Sequence, residues 1–147
     1  MSVIVAKRNK SPIQFVDDSR MIADIIASRM EHFLNKISKK YTTLKYIANR
    51  INSYYYEAPV KYAIEAYICV TYANRIYIKD EKSLERRRNQ LDNAIEYYNK
   101  LSSVISILFG KFKSSFNQNA IINIIDLINN EVEQIKNIIQ NDKNRIK

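Results

Sequence analysis

The chain has 147 residues, enough for one domain with a real core, and its 46% apolar content is ordinary for a globular protein. One glycine and two prolines leave too little turn chemistry for a protein built of sheets and tight hairpins. Twenty-four Lys and Arg against 15 Asp and Glu give a formal net charge of +9, which is silent about fold but favours a polyanionic partner.

Isoleucine and tyrosine are common here and both suit strands, so composition leaves the fold class open and spacing must decide it. Residues 1–15 read as a basic arm, with Lys7, Arg8 and Lys10 ahead of Ser11-Pro12. Met1–Ala6 is too short for a signal sequence, and no run reaches the roughly 20 apolar residues that a membrane span needs. Cys69 is the only cysteine and sits in an apolar stretch, which fits a buried core thiol in a reducing compartment. A soluble cytoplasmic protein with no membrane partner is expected.

Asp17, Asp18 and Ser19 suit a helix start, and Ile22, Ile25, Ile26, Arg29, Phe33 and Ile37 follow at three- and four-residue steps. Ser38-Lys39-Lys40-Tyr41 reads as a loop. An extra short helix over Leu44–Ile51 and a Tyr54-Tyr55-Tyr56 corner would fill the length before the second long helix. Pro59 suits the first turn of that helix, which is expected over 58–78.

This second helix carries two apolar stripes. Val60, Ile64, Tyr67 and Val70 form one, and Tyr62, Ala66, Cys69, Ala73 and Ile76 form the other. A helix that is apolar on both sides must bury both. One stripe is expected in the core. The other, Tyr62 to Ile76, is expected against a neighbouring subunit of a homo-oligomer.

Lys79–Lys82 is a charged connector, and Ser83 opens a third helix whose seam is Leu84, Arg87, Leu91, Ala94, Tyr98, Leu101, Ile105 and Leu108. Gly110 is placed to end it as a left-handed cap. Phe116–Asn119 leads into a fourth helix with Ile121, Ile125, Ile128, Val132, Ile135 and Ile139 at alternating steps of four and three. A basic tail over 141–147 is expected to fray. The expectation is all-α: one domain over 1–147, an antiparallel up-down four-helix bundle with room for an extra short helix between helices 1 and 2.

Ala73-Asn74-Arg75-Ile76-Tyr77, the block Glu85-Arg86-Arg87-Arg88-Asn89-Gln90, and the core positions Ala94, Ile95 and Leu101 carry a resemblance. They resemble the middle of the accessory variability determinant family of diversity-generating retroelements, with its phage and mobile-element relatives. The basic opening segment ending in Phe15 and the polar, basic tail are similar as well. The match is weak over 39–60. Relatives commonly carry a glycine-tryptophan pair before the tail, where this chain reads Asn137-Ile138 or nearby and has no tryptophan. The resemblance implies a pentameric ring with a positive surface. It also implies a non-enzymatic role, binding a reverse transcriptase and its RNA or DNA, with no cofactor.

No catalytic or metal-ligating pattern is visible. His32 is the only histidine and lacks ligand-spaced partners, and a lone glycine excludes a glycine-rich phosphate loop. A ribonuclease-like bundle would want an arginine and histidine at a longer spacing than Arg29 and His32 offer. What remains is basic charge on helices. Arg86, Arg87 and Arg88 fan over most of a turn, with Arg87 on the seam, where it snorkels or pairs with an acid such as Glu131 or Glu133. Together with Arg75, Lys39, Lys40, Lys45, Arg50, Lys111 and Lys113 they form the expected nucleic-acid surface. Interspersed tyrosines suit base stacking there. The other reading is a structural or interaction protein whose charges are merely solvated.

Overall fold

A computed structural model of the chain describes residues 13–40, 57–112 and 116–145, with the side chains of residues 34 and 36–40 left aside. It contains four helices: α1 (Gln14–Lys40), α2 (Ala58–Arg75), α3 (Glu81–Lys111) and α4 (Gln118–Asp142). The principal packing pairs are α1 with α2, α2 with α3, α3 with α4, and α4 with α1. Each helix therefore has two neighbours, the cross-section of an up-down four-helix bundle. No strand occurs among the described residues, and no described helix is long and apolar enough to cross a membrane. The expected extra helix over 44–51, the tyrosine corner and most of the N-terminal arm lie outside the described residues.

The heptad rhythm of α3 is realised in the packing. Leu91, Ala94, Tyr98, Leu101, Ile105 and Leu108 are all buried, and Arg87 is buried in register with them. On α4 the buried set is Ile121, Ile124, Ile128, Val132 and Ile135, while the seam residues Ile125 and Ile139 are only partly covered. Ile124 enters because α4 must face α1 and α3 at once, which needs a wider apolar arc than a strict seam. On α1, Ile22, Ile26, Met30 and Phe33 fill the core, and Phe33 stacks on Phe116 at a centroid distance of 4.3 Å. Arg29 points to solvent.

Several boundaries differ from the sequence expectation. Helix α1 begins at Gln14, so Phe15 is a core residue instead of the end of an arm. Asp17, Asp18 and Ser19 lie inside the helix, and Asp17 still favours the positive end of its dipole. Ser38-Lys39-Lys40 is helical, where a loop was expected. Helix α2 stops at Arg75, because Ile76 turns extended and caps it with φ −83° and ψ 114°. Gly110 is no cap: α3 runs through it to Lys111, Phe112 closes the helix, and no glycine takes a positive φ. The tail is also ordered further than expected, since Asn141 and Asp142 remain helical and Asp142 is buried.

A polar network crosses the core and ties α1, α3 and α4 together. The Tyr98 hydroxyl donates to Ser19 Oγ at 2.7 Å, and Ser19 in turn donates to Glu131 Oε2. Gln134 Nε2 donates to Glu131 Oε1 at 2.9 Å and to Asp18 Oδ2 at 2.8 Å. Glu131 is 1% exposed, so each of these partners offsets desolvation of its carboxylate. Burial pushes the Tyr98 hydroxyl well above the usual tyrosine range; the Ser19 contact pulls the other way, and Glu131 and Asp18 add to the rise. Tyr98 thus stays a neutral donor. Such networks cost more when broken than they contribute when intact, which favours one register of the helices.

Candidate nucleic-acid interface

The α2–α3 corner is built from three local devices. The first is the end of α2, where Ile76 donates its backbone N–H to the Ala73 carbonyl at 3.1 Å and buries its side chain. The second is a capping box at the start of α3. Asp80 Oδ1 accepts from the Ser83 amide at 2.8 Å, and Ser83 Oγ accepts from the Asp80 amide at 3.1 Å and the Lys79 amide at 2.9 Å. The Ser83 amide bond is the main reason the Asp80 carboxyl lies below its ordinary range, with Ser83 Oγ, Lys79 and Lys82 contributing less.

The third device is Arg87. It is 7% exposed, donates Nε to Asp142 Oδ2 at 2.6 Å, and donates Nη1 to the Ala73 carbonyl at 3.1 Å. One guanidinium thus joins the end of α2, the first turns of α3 and the end of α4. The expected role of Arg87 in phosphate contact is corrected by this burial. Its acidic partner is Asp142, about three turns beyond Glu131 and Glu133 at 3.6 residues per turn, because Arg87 lies near the start of α3 and antiparallel α4 brings only its last turn there.

Around this frame, Tyr72, Arg75, Ile76, Tyr77, Lys79, Ser83 and Arg86 line a groove of about 390 Å³. Arg75, Lys79 and Arg86 are exposed, no acidic side chain is in the lining, and none of the three forms an ion pair among the described residues. Tyr77 is 82% exposed and Tyr72 about half exposed. Among the described residues, Arg75 and Arg86 are the expected site residues that the fold brings together. Lys79, Tyr72 and Tyr77 were missed. The available signals were the connector position of Lys79 and the step of four from Ile64 and Ile68 to Tyr72.

The other expected residues that are described lie away from the groove. Arg88 is exposed on a different side, 3.8 Å from Asp92, in a depression that it shares with Glu81, Glu85 and Asp142. Acidic neighbours of that kind screen it from phosphate. Lys111 is exposed at the far end of α3, roughly 37 Å from Arg86 at about 1.5 Å of rise per residue. Lys39 and Lys40 occupy the last turn of α1, and Lys45, Arg50 and Lys113 lie outside the described residues.

The expected oligomer stripe is corrected as well. Ala66, Cys69, Ala73 and Ile76 are buried within the chain itself, and Tyr62 packs partly covered against Tyr97. Small alanines let α2 approach α1 and α3 closely, so this stripe is consumed by the chain's own core. The apolar side left open on α2 is Ile64, Ile68 and Tyr72, flanked by exposed Lys61 and Arg75. Burial, and secondarily Glu65, pushes the Cys69 thiol above its usual range, which makes it a poor nucleophile.

His32 and Arg29 line a separate cavity of about 180 Å³ with Phe33, Phe116 and Asn117, where α1 passes the start of α4. Among the described residues no three His, Cys, Asp or Glu side chains gather closely enough to hold a metal ion. Comparison with known proteins leaves the family open: no family model, no curated protein and no solved structure matches the chain.

Proposed function

We propose that this chain is a non-enzymatic nucleic-acid-binding bundle that serves as the accessory protein of a diversity-generating retroelement. In this role it holds template RNA or cDNA against the reverse transcriptase in the cytoplasm. The observation that carries the binding half of this reading is the α2–α3 groove, where three cations from α2, the connector and α3, without an ion pair among the described residues, surround two exposed tyrosines. Phosphate contacts of this kind supply affinity with little base specificity. The resemblance of residues 73–101, which include this corner, supports the retroelement half. It also supports a homo-oligomer, pentameric in that family, for which Ile64 and Ile68 offer an uncovered face.

The test is binding of a structured RNA and a duplex DNA across a salt series, with the triple variant Arg75→Glu, Lys79→Glu, Arg86→Glu beside the wild type. Wild-type affinity should fall steeply with salt, and the variant should lose affinity and flatten the slope by about three phosphate contacts. Full affinity in the variant would remove the groove from this role. Copurification with a reverse transcriptase encoded beside this chain tests the partner.

A second reading, a structural or interaction protein of a phage or mobile element, is favoured by the open Ile64, Ile68 and Tyr72 face. It moves to first place if wild-type protein binds neither RNA nor DNA at low salt.

A further inference from the structure

We infer that the α2–α3 groove accepts an unpaired nucleotide and that Tyr77 stacks on its base, so that the chain selects single strands over duplex. This rests on the nucleic-acid reading above and narrows it.

The tyrosine is the anomaly that needs an explanation. Most large aromatics among the described residues are covered: Phe33 and Tyr98 are buried, while Tyr62, Tyr97, Phe109 and Phe116 pack partly covered against the core. Tyr77 instead stands 82% exposed, two residues beyond the end of α2. It has no hydrogen bond, ring contact or cation contact among the described residues. Its neighbour Ile76 is buried, so the backbone at this corner is anchored while the tyrosine ring is left free. At 82% exposure most of the ring's surface is open to a planar partner.

What surrounds the ring limits that partner. Tyr72 adds a second, half-exposed aromatic to the same lining, and Arg75, Lys79 and Arg86 bring three positive charges to a lining that holds no acidic side chain. An apolar peptide would have no use for the cations. A small anion such as phosphate would have none for the rings. A nucleotide uses both, with its base on an aromatic face and its phosphates on the basic groups.

Strandedness follows from access. In a duplex the faces of internal bases are covered by their neighbours and only the edges are offered in the grooves, where helices or ribbons must enter to read them. A short connector carrying a tyrosine cannot reach a covered face. In a single strand every base offers a π-face, and stacking of this kind is tolerant of sequence. The groove, at about 390 Å³, has room for one nucleotide, and the Ile76–Ala73 and Asp80–Ser83 hydrogen bonds tie its connector to the ends of α2 and α3.

The experiment compares four fluorescently labelled probes of equal length by anisotropy at one fixed, low salt concentration. They are a mixed-sequence single-stranded DNA, the RNA of the same sequence, the matching DNA duplex, and an abasic strand with the same phosphates and no bases. Each is titrated with wild type, Tyr77→Phe and Tyr77→Ser. Since Tyr77 is exposed, helicity and melting should be unchanged in both variants.

The expected result is that wild type and Tyr77→Phe bind the single strands about tenfold more tightly than the abasic strand, and that Tyr77→Ser erases the difference. A preference for RNA over DNA would add a 2′-hydroxyl contact, with stacking unaltered. Equal affinity for based and abasic strands, duplex binding as tight as single-strand binding, or an unaffected Tyr77→Ser overturns the inference while leaving phosphate binding in the groove standing. If no probe binds at low salt, the nucleic-acid reading falls and this inference with it.

Discussion

Arg87 and Asp142, 55 positions apart in the chain, meet in a buried ion pair at 2.6 Å, where the start of α3 faces the end of α4. The same guanidinium reaches the Ala73 carbonyl, so the pair also fixes where α2 ends. This contact acts with the Ile76 cap and the Asp80–Ser83 capping box to position what projects from the α2–α3 corner. Arg86 and Arg88 flank Arg87 in sequence, yet both are exposed.

Removing one partner of this pair leaves the other charged and buried, with, among the described residues, only the longer 3.8 Å contact from exposed Arg145 still reaching Asp142. Arg87→Met or Asp142→Ala alone should each cost about 3–5 kcal/mol in urea unfolding. The double variant Arg87→Met, Asp142→Leu should be less destabilised than the sum of the single changes. Strict additivity would mean that the two residues act independently and that the pair does not lock the corner.

The two faces of α2 should respond oppositely to charge. Ala66→Glu buries a carboxylate where the side chain is fully enclosed, and should abolish folding as seen by circular dichroism. Ile68→Glu changes a side chain that is 53% exposed and should leave the melting temperature nearly unaltered. Mass measurement of the Ile68→Glu protein then reports on assembly. A wild-type oligomer that persists in that variant is not held together through this face.

Gly110 lies inside α3 with no positive φ, and a methyl group added there meets nothing within 4 Å. Gly110→Ala should therefore stabilise the protein, by about 0.5–1 kcal/mol, through the higher helix propensity of alanine. A loss of stability would show that the glycine is needed in a conformation other than helical.

Acid should loosen the start of α3. Because the folded-state carboxyl of Asp80 titrates below its unfolded value, its stabilising contribution is present above the unfolded value, near pH 4. It is lost as pH falls through the folded value. Asp80→Asn keeps a capping oxygen without the titration, so its stability should vary less between pH 5 and pH 2 than that of the wild type. Identical acid profiles would mean that carboxylates elsewhere dominate.

Periodicity was enough to establish the helices, since three- and four-residue spacing of apolar side chains has one economical solution, a bundle with those faces inward. The α3 seam from Arg87 to Leu108 was legible residue by residue for that reason, and so was the first-turn role of Pro59. Helix ends were less legible. Gly110 has the right chemistry for a cap but continues the helix, while Asp80 and Ser83 begin α3 through hydrogen bonds that depend on backbone torsions.

The site divides in the same way. Local spacing shows that Arg86, Arg87 and Arg88 cannot share one face, and composition shows that positive charge is in excess. Which arginine is spent on the fold is a non-local matter, settled by the packing of α4 that delivers Asp142 to Arg87 across the bundle. The same holds for α2, where Val70 of the stripe Val60, Ile64, Tyr67 and Val70 is buried beside the Ala66–Cys69–Ala73 stripe while Ile64 of that same stripe is left out. Only the placement of α1 and α3 around it decides that Ala66, Cys69 and Ala73 are covered and that Ile64, Ile68 and Tyr72 stay open. Burial is a property of what arrives from elsewhere in the chain, and a helix carries no record of its neighbours.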